Sequence, residues 1–150
     1  MSRPCSTFLN EAFTDAEKSY IPLSKIKQEK LSGPYEDAAG KDTMDQIFLL
    51  NLTEATKYFD SDDDRKCMPT EYAGAQGANQ HTWNGEIRAE SWWLRTAFAD
   101  MAMIISEKGA KQYADRDHTH IAVRPAMWIG FDKSAYEQSM QSDYNQVDVV

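Results

Sequence analysis

The chain is poor in cysteine, in basic charge and in long apolar runs. Its two cysteines, Cys5 and Cys67, stand far apart in a sequence of 150 residues. A chain of that length can bury a core without disulfides or metals, so two reduced thiols in an intracellular protein are expected. Lysine and arginine number 16 against 24 aspartates and glutamates, for a formal net charge of −8. Such a surface repels a phosphate backbone, so direct nucleic-acid binding is not expected; the charge suits solubility or a basic protein partner. No apolar stretch approaches the ~20 residues that cross a bilayer, and the first residues lack the charged and apolar blocks of a signal peptide. The expectation is therefore a cytoplasmic protein with no membrane contact. No glycine-rich phosphate loop is present, and no Ser-His-Asp or Cys-His arrangement can be assembled from the spacing. No enzyme activity and no cofactor are expected.

What is present is a globular composition, 41% hydrophobic and 11% aromatic, compatible with one domain over residues 1–129 followed by an acidic polar tail over 130–150. Two short signatures stand out. Ser91-Trp92-Trp93-Leu94-Arg95 and Val123-Arg124-Pro125-Ala126-Met127-Trp128 each set an arginine among large apolar side chains. Arginine keeps its charge, so burying it demands a carboxylate or several carbonyls. Trp92, Trp93, Arg95, Arg124 and Trp128 are accordingly expected to be structural. Arg65, Arg95 and Arg124 read as ion pairs or carbonyl contacts in preference to anion sites.

Local patterning predicts a helix over residues 6–13. Thr14-Asp15-Ala16-Glu17 is a capping box opening a second helix to about Tyr20, before Pro22. Residues 30–42 read as a loop. Gln46-Ile47-Phe48-Leu49-Leu50 reads as a buried strand. Asn51-Leu52-Thr53-Glu54 is another capping box, opening a helix to about Phe59 with Ala55, Tyr58 and Phe59 on its apolar side. Asp60-Ser61-Asp62-Asp63-Asp64 imitates the start of a calcium loop, but Arg65 stands where that loop needs glycine, and Pro69 follows. A solvated acidic turn capping the preceding helix is the expectation. Thr70 caps a short helix beginning near Pro69. Residues 74–84 read as an exposed loop carrying Trp83, which either packs down as a lid or faces a ligand; the usual burial of tryptophan favours packing.

Residues 91–96 read as a strand with Trp92 and Leu94 on one side and Trp93 and Arg95 on the other. Residues 101–106 and 110–113 flank Glu107-Lys108-Gly109 as a hairpin. Residues 121–129 read as a last strand, with Pro125 calling for an edge or a bulge. The tail reads as partly helical or disordered. His118 and His120, with Asp115, Asp117 and Cys67, could approach zinc, but four ligands at a recognisable spacing are missing. A polar turn entering the last strand is expected there, and no metal.

The ordered segments resemble a bacterial and phage domain family of unassigned role. Its members run through L-N-x-x-F, T-x-D-x-I/V-F-L-L-S, E-A-x-x-Y-F, R-x-x-x-x-T-x-Y-A, W-W-L-R-S and G-V-R-P-A. The matching stretches are Leu9-Asn10-Glu11-Ala12-Phe13, Thr43-Met44-Asp45-Gln46-Ile47-Phe48-Leu49-Leu50-Asn51, Glu54-Ala55-Thr56-Lys57-Tyr58-Phe59, and residues 65–73, 91–96 and 122–126. The resemblance implies an α+β fold similar to C-type lectin and formylglycine-generating-enzyme domains: a small twisted antiparallel sheet with helices packed outside. Asn51 and Thr96 replace serines, and Ala122 replaces a glycine. Family members carry strands ahead of the L-N-x-x-F segment, so an N-terminally truncated sheet is expected here. Its open edge would pair with a partner or, in a homodimer, with a second copy. The late cysteine pair of formylglycine-generating enzymes is missing, so their activity does not carry over.

Two functions follow as expectations. One is a non-catalytic binding domain that recognises a protein or glycan partner through its loops and sheet edge, with Trp83, Asn84 and Arg88 at the contact. The other is a small acidic inhibitor from a phage or mobile element, akin to an anti-CRISPR protein, whose Asp62, Asp63 and Asp64 block a basic nucleic-acid channel of a host nuclease.

Overall fold

A computed structural model describes residues 6–29, 40–98 and 100–130. The protein is α+β, with antiparallel sheets and helices packed outside them. Its elements begin with α1 (Ser6–Ala12), α2 (Asp15–Lys18), β1 (Ser24–Ile26), β2 (Thr43–Asp45) and β3 (Ile47–Phe48). Three short helices follow, α3 (Leu52–Tyr58), α4 (Asp62–Arg65) and α5 (Glu71–Ala75). The strands β4 (Thr82–Trp83), β5 (Glu86–Ile87), β6 (Trp92–Phe98), β7 (Met101–Ile105), β8 (Lys111–Asp115) and β9 (Ala126–Met127) complete the order. Among the described residues the strands fall into four small sheets, β1-β2, β3-β9, β4-β5 and β6-β7-β8, where one sheet was expected. The described residues divide into two compact units, 6–26, 44–48 and 126–130 in the first, 27–29, 40–43, 49–98 and 100–125 in the second. Cys5, residues 30–39 of the expected loop and the tail over 131–150 lie outside the described residues.

In the first unit the capping box at Thr14 forms as predicted: Thr14 Oγ1 accepts from the Glu17 amide at 3.3 Å and Glu17 Oε2 accepts from the Thr14 amide at 2.8 Å. The helix it opens stops at Lys18, and residues 19–20 continue only as a turn ahead of Pro22. β3 is shorter than the apolar run promised. Ile47 and Phe48 pair with Met127 and Ala126 of β9, and the Phe48 ring meets Trp128 at 5.9 Å. Two backbone acceptors fasten this unit, the Ile21 carbonyl to Gln46 Nε2 and the Tyr20 carbonyl to the Gly130 amide, each at 2.8 Å.

The second unit is built on β6-β7-β8. Burial alternates along β6: Trp92, Leu94 and Thr96 are buried, while Trp93 and Arg95 turn to the other side. This is the period-two pattern of a strand with one covered face. β7 is the central strand, and Met103, Ile104 and Ile105 are all buried. β8 is mostly exposed. α3 starts on the capping box at Asn51 and lays Ala55 inward.

The last strand expected over residues 121–129 does not form as one piece. Ala122 makes a single parallel bridge to Trp92, and only Ala126–Met127 pairs again, now with β3. Proline lacks an amide proton and cannot continue a ladder, so the interruption falls where Pro125 stands. Arg95 and Arg124 therefore do not lie on paired closing strands. The acidic stretch is likewise more than a turn capping the helix before it. Ser61 caps a separate one-turn helix, α4, by accepting from the Asp64 amide at 3.2 Å.

The β7–β8 turn closes on Gly109, whose φ of 78° favours glycine. A Cβ placed there would meet the Asp62 carbonyl oxygen at 1.6 Å, a backbone atom that cannot swing aside. Strain and collision add, so Gly109→Ala is expected to destabilise the protein by roughly 2 kcal/mol or more, beyond the ~1 kcal/mol of the positive φ alone. Urea unfolding followed by tryptophan fluorescence measures it.

Candidate functional site

Sequence places Asn84 and Gly85 between two short runs that can pair. In the structure both take left-handed φ values, 53° and 82°. Two consecutive residues of that kind make the type I′ turn, whose twist suits a two-residue hairpin. β4 and β5 pair antiparallel across it, Thr82 with Ile87 and Trp83 with Glu86. The Arg88 amide donates to the His81 carbonyl at 2.8 Å, which extends the hairpin by one pair. Residues opposite one another share a face, so His81, Trp83, Glu86 and Arg88 lie on one side and Thr82 and Ile87 on the other. The first four are exposed, Trp83 at 63% and the His81 side chain at 74%, whereas Ile87 is half-buried.

Trp83 is therefore no lid. A two-residue strand beside a tight turn offers it no covering layer. The structure brings Trp83 and Arg88 to one face and puts Asn84 at the turn, where its main contribution is backbone conformation. His81 and Glu86 were missed by sequence reasoning. The Asn84-Gly85 dipeptide was the signal that could have found them, because it announces a hairpin and hence a register.

The base of the hairpin is clasped by Glu90, a charged residue only 7% exposed. Its Oε1 accepts from the His81 amide at 2.8 Å and lies 2.6 Å from His81 Nδ1. The Glu90 amide in turn donates to the Cys67 carbonyl at 2.9 Å. Gln80 Nε2 donates to the Thr70 carbonyl at 3.1 Å. These bonds tie the hairpin to the segment leading into α5, where Met68 and Tyr72 are exposed at 68% and 71%. Thr70 caps α5 as expected, accepting from the Ala73 amide.

The aspartates Asp62, Asp63 and Asp64 sit on a separate element, α4, and each is engaged locally. Asp62 pairs with Arg65, Asp63 with Lys66, and Asp64 accepts from the Ser61 amide and hydroxyl. The Lys66 ammonium holds the Asp63 carboxyl below its ordinary range. Among the described residues no three His, Cys, Asp or Glu side chains converge as a metal would require; His120 Nδ1 meets the Gly77 carbonyl at 3.1 Å.

The three arginines differ in how they are held. Arg65 is 5% exposed; it donates to the Gly109 and Phe59 carbonyls at 3.0 and 3.2 Å and pairs with Asp62. Arg95 grips Glu54 through both carboxylate oxygens, at 2.5 and 2.7 Å, and donates to the Leu49 and Lys27 carbonyls at 2.6 and 3.1 Å. Arg124 rests on rings, 4.7 Å from the Phe59 centroid and 5.0 Å from Trp92. Arg65 and Arg95 are thus both held by carbonyl and carboxylate oxygens.

The family model for a domain of unknown function, DUF6273, matches residues 5–131. The chain belongs to the DUF6273 family. No curated protein and no solved structure matches it. The matched span of this DUF6273 domain takes in both arginine signatures and the hairpin. No helix among its described residues is long and apolar enough to cross a membrane.

Arg95→Met leaves Glu54 without its counter-charge. With the Arg95 side chain 10% exposed and Glu54 21%, the expected loss is about 3 kcal/mol, at the low end for a broken buried pair because water still reaches Glu54. Glu54→Gln should cost less, since the amide oxygen still accepts from Arg95. Paired urea titrations give the comparison. Tyr58 adds a pH dependence: burial and then the Glu54 charge push its phenol above the usual tyrosine range, partly offset by Arg95. A raised folded value means that the stability from the neutral phenol is complete below the ordinary tyrosine range and lost as pH climbs to the folded value. Tyr58→Phe should therefore flatten the alkaline limb of a stability-against-pH curve.

Proposed function

We propose that this DUF6273 domain is a non-catalytic protein-binding module whose contact surface is the outward face of the β4–β5 hairpin. The observation that carries the reading is Trp83, 63% exposed on β4 beside the turn, with Arg88 on the same face. A tryptophan left in water forgoes roughly 3 kcal/mol of burial that a partner can supply. Tryptophan and arginine dominate the energetics of protein interfaces, and a pre-ordered hairpin lowers the entropy lost on docking. The reading takes a C-type-lectin-like frame and a cytoplasmic setting, and it needs no cofactor. The inhibitor alternative draws less support, because the carboxylates of Asp62, Asp63 and Asp64 already have partners on their own helix turn.

The test compares wild type, Trp83→Ala, Arg88→Ala and the Asp62→Asn/Asp63→Asn/Asp64→Asn triple variant as baits, with captured proteins identified and their affinities then measured. Trp83→Ala is expected to weaken binding roughly 30-fold, the loss of about 2 kcal/mol typical of a central anchor, with circular dichroism unchanged. Equal binding by Trp83→Ala and wild type, or a loss confined to the triple variant, overturns the reading. A glycan array separates a sugar stacked on Trp83 from a protein partner. Light scattering reads self-association through a sheet edge.

A further inference from the structure

Arg124 is the one arginine of the two signatures whose charge the described residues leave unanswered. Its Nη1 is buried and makes no hydrogen bond. The side chain as a whole is half-buried, and it stands next to Val123, which is 64% exposed. Among the described residues it has no ion pair, whereas Arg65 has Asp62 and Arg95 has Glu54. It rests instead against Phe59 and Trp92, whose rings meet edge-on at 69° with their centroids 6.4 Å apart, and Trp92 is itself pinned by an indole N–H donated to the Arg65 carbonyl at 3.0 Å. Although the net charge is −8, no carboxylate among the described residues pairs with this guanidinium. Ring faces attract the cation and fix its plane, yet they accept no strong hydrogen bond, so the donor capacity of the fork is preserved.

We propose that Arg124 is a carboxylate receptor. Nη1 is buried, so the receiving edge is that of Nε and Nη2, which takes a carboxylate side-on through two parallel N–H···O bonds. A planar guanidinium fork matches the two oxygens of one carboxylate. The carboxylate can belong to a small acid or to a glutamate side chain of a polypeptide. This site is independent of the hairpin reading, since neither Trp83 nor Arg88 takes part.

The experiment follows the Arg124 Nε–H and Trp92 indole resonances of the whole chain during titration with sodium acetate, with a capped glutamate tripeptide, and with sodium chloride as the ionic-strength control. Acetate is expected to shift both resonances saturably. A matching response to the tripeptide assigns the site to polypeptide carboxylates as well, and its absence restricts the site to small acids. Arg124→Lys, which keeps the charge but loses the fork, is expected to weaken acetate binding about tenfold. No movement of the Arg124 resonance with either carboxylate, or the same shift with chloride, overturns the proposal. The wild-type spectrum decides this even where Arg124→Lys fails to fold.

Discussion

An arginine cannot shed its charge, and the second unit is organised around that constraint at Arg95. Its fork reaches the carbonyls of Lys27 and Leu49 and both oxygens of Glu54, so one side chain on β6 binds three separate stretches of chain. Glu54 Oε2 serves twice, accepting from Arg95 and from the Asn51 amide that begins α3. The start of the helix and the placement of the strand are thus one arrangement. Thr96, the next residue of β6, repeats the coupling: its hydroxyl accepts from the Leu52 amide and donates to Glu29, each at 2.8 Å, while Glu29 also accepts from Thr53. A polar network of this kind supports a fold only when its members are satisfied together.

The other two arginines answer the same constraint by different chemistry. Arg65 uses carbonyls and one aspartate to fasten α4 to the β7–β8 turn, where Gly109 leaves room for the Asp62 backbone. Arg124 uses aromatic faces. Carbonyls and carboxylates consume a guanidinium's hydrogen-bonding capacity; rings do not. Among the described residues that leaves Arg124 with ring contacts and a buried Nη1 that makes no hydrogen bond.

Elements marked by a local chemical device were legible from sequence. Thr14, Asn51 and Thr70 announce their helices because each side chain satisfies an amide that the helix itself cannot. The hairpin around Gly109 and the alternation through Trp92 and Leu94 follow from spacing alone. What depended on tertiary competition was not legible. The run at residues 46–50 has strand composition, but only Ile47 and Phe48 find a partner strand. The stretch over residues 121–129 is apolar except for Arg124, yet its neighbours change at Pro125 from β6 to β3. The exposed face of Trp83, His81, Glu86 and Arg88 needed the register of the Asn84-Gly85 turn, and average tryptophan burial pointed the other way.

The hairpin separates two kinds of inheritance. Its ties to the frame are the half-buried Ile87, the Glu90 clasp and the Gln80 bond at its base. Of the four outward side chains only His81 reaches back, to Glu90; those of Trp83, Glu86 and Arg88 complete no ladder and can be exchanged while the frame stays as it is. Such a face can change without disturbing the arginine contacts that hold the second unit together.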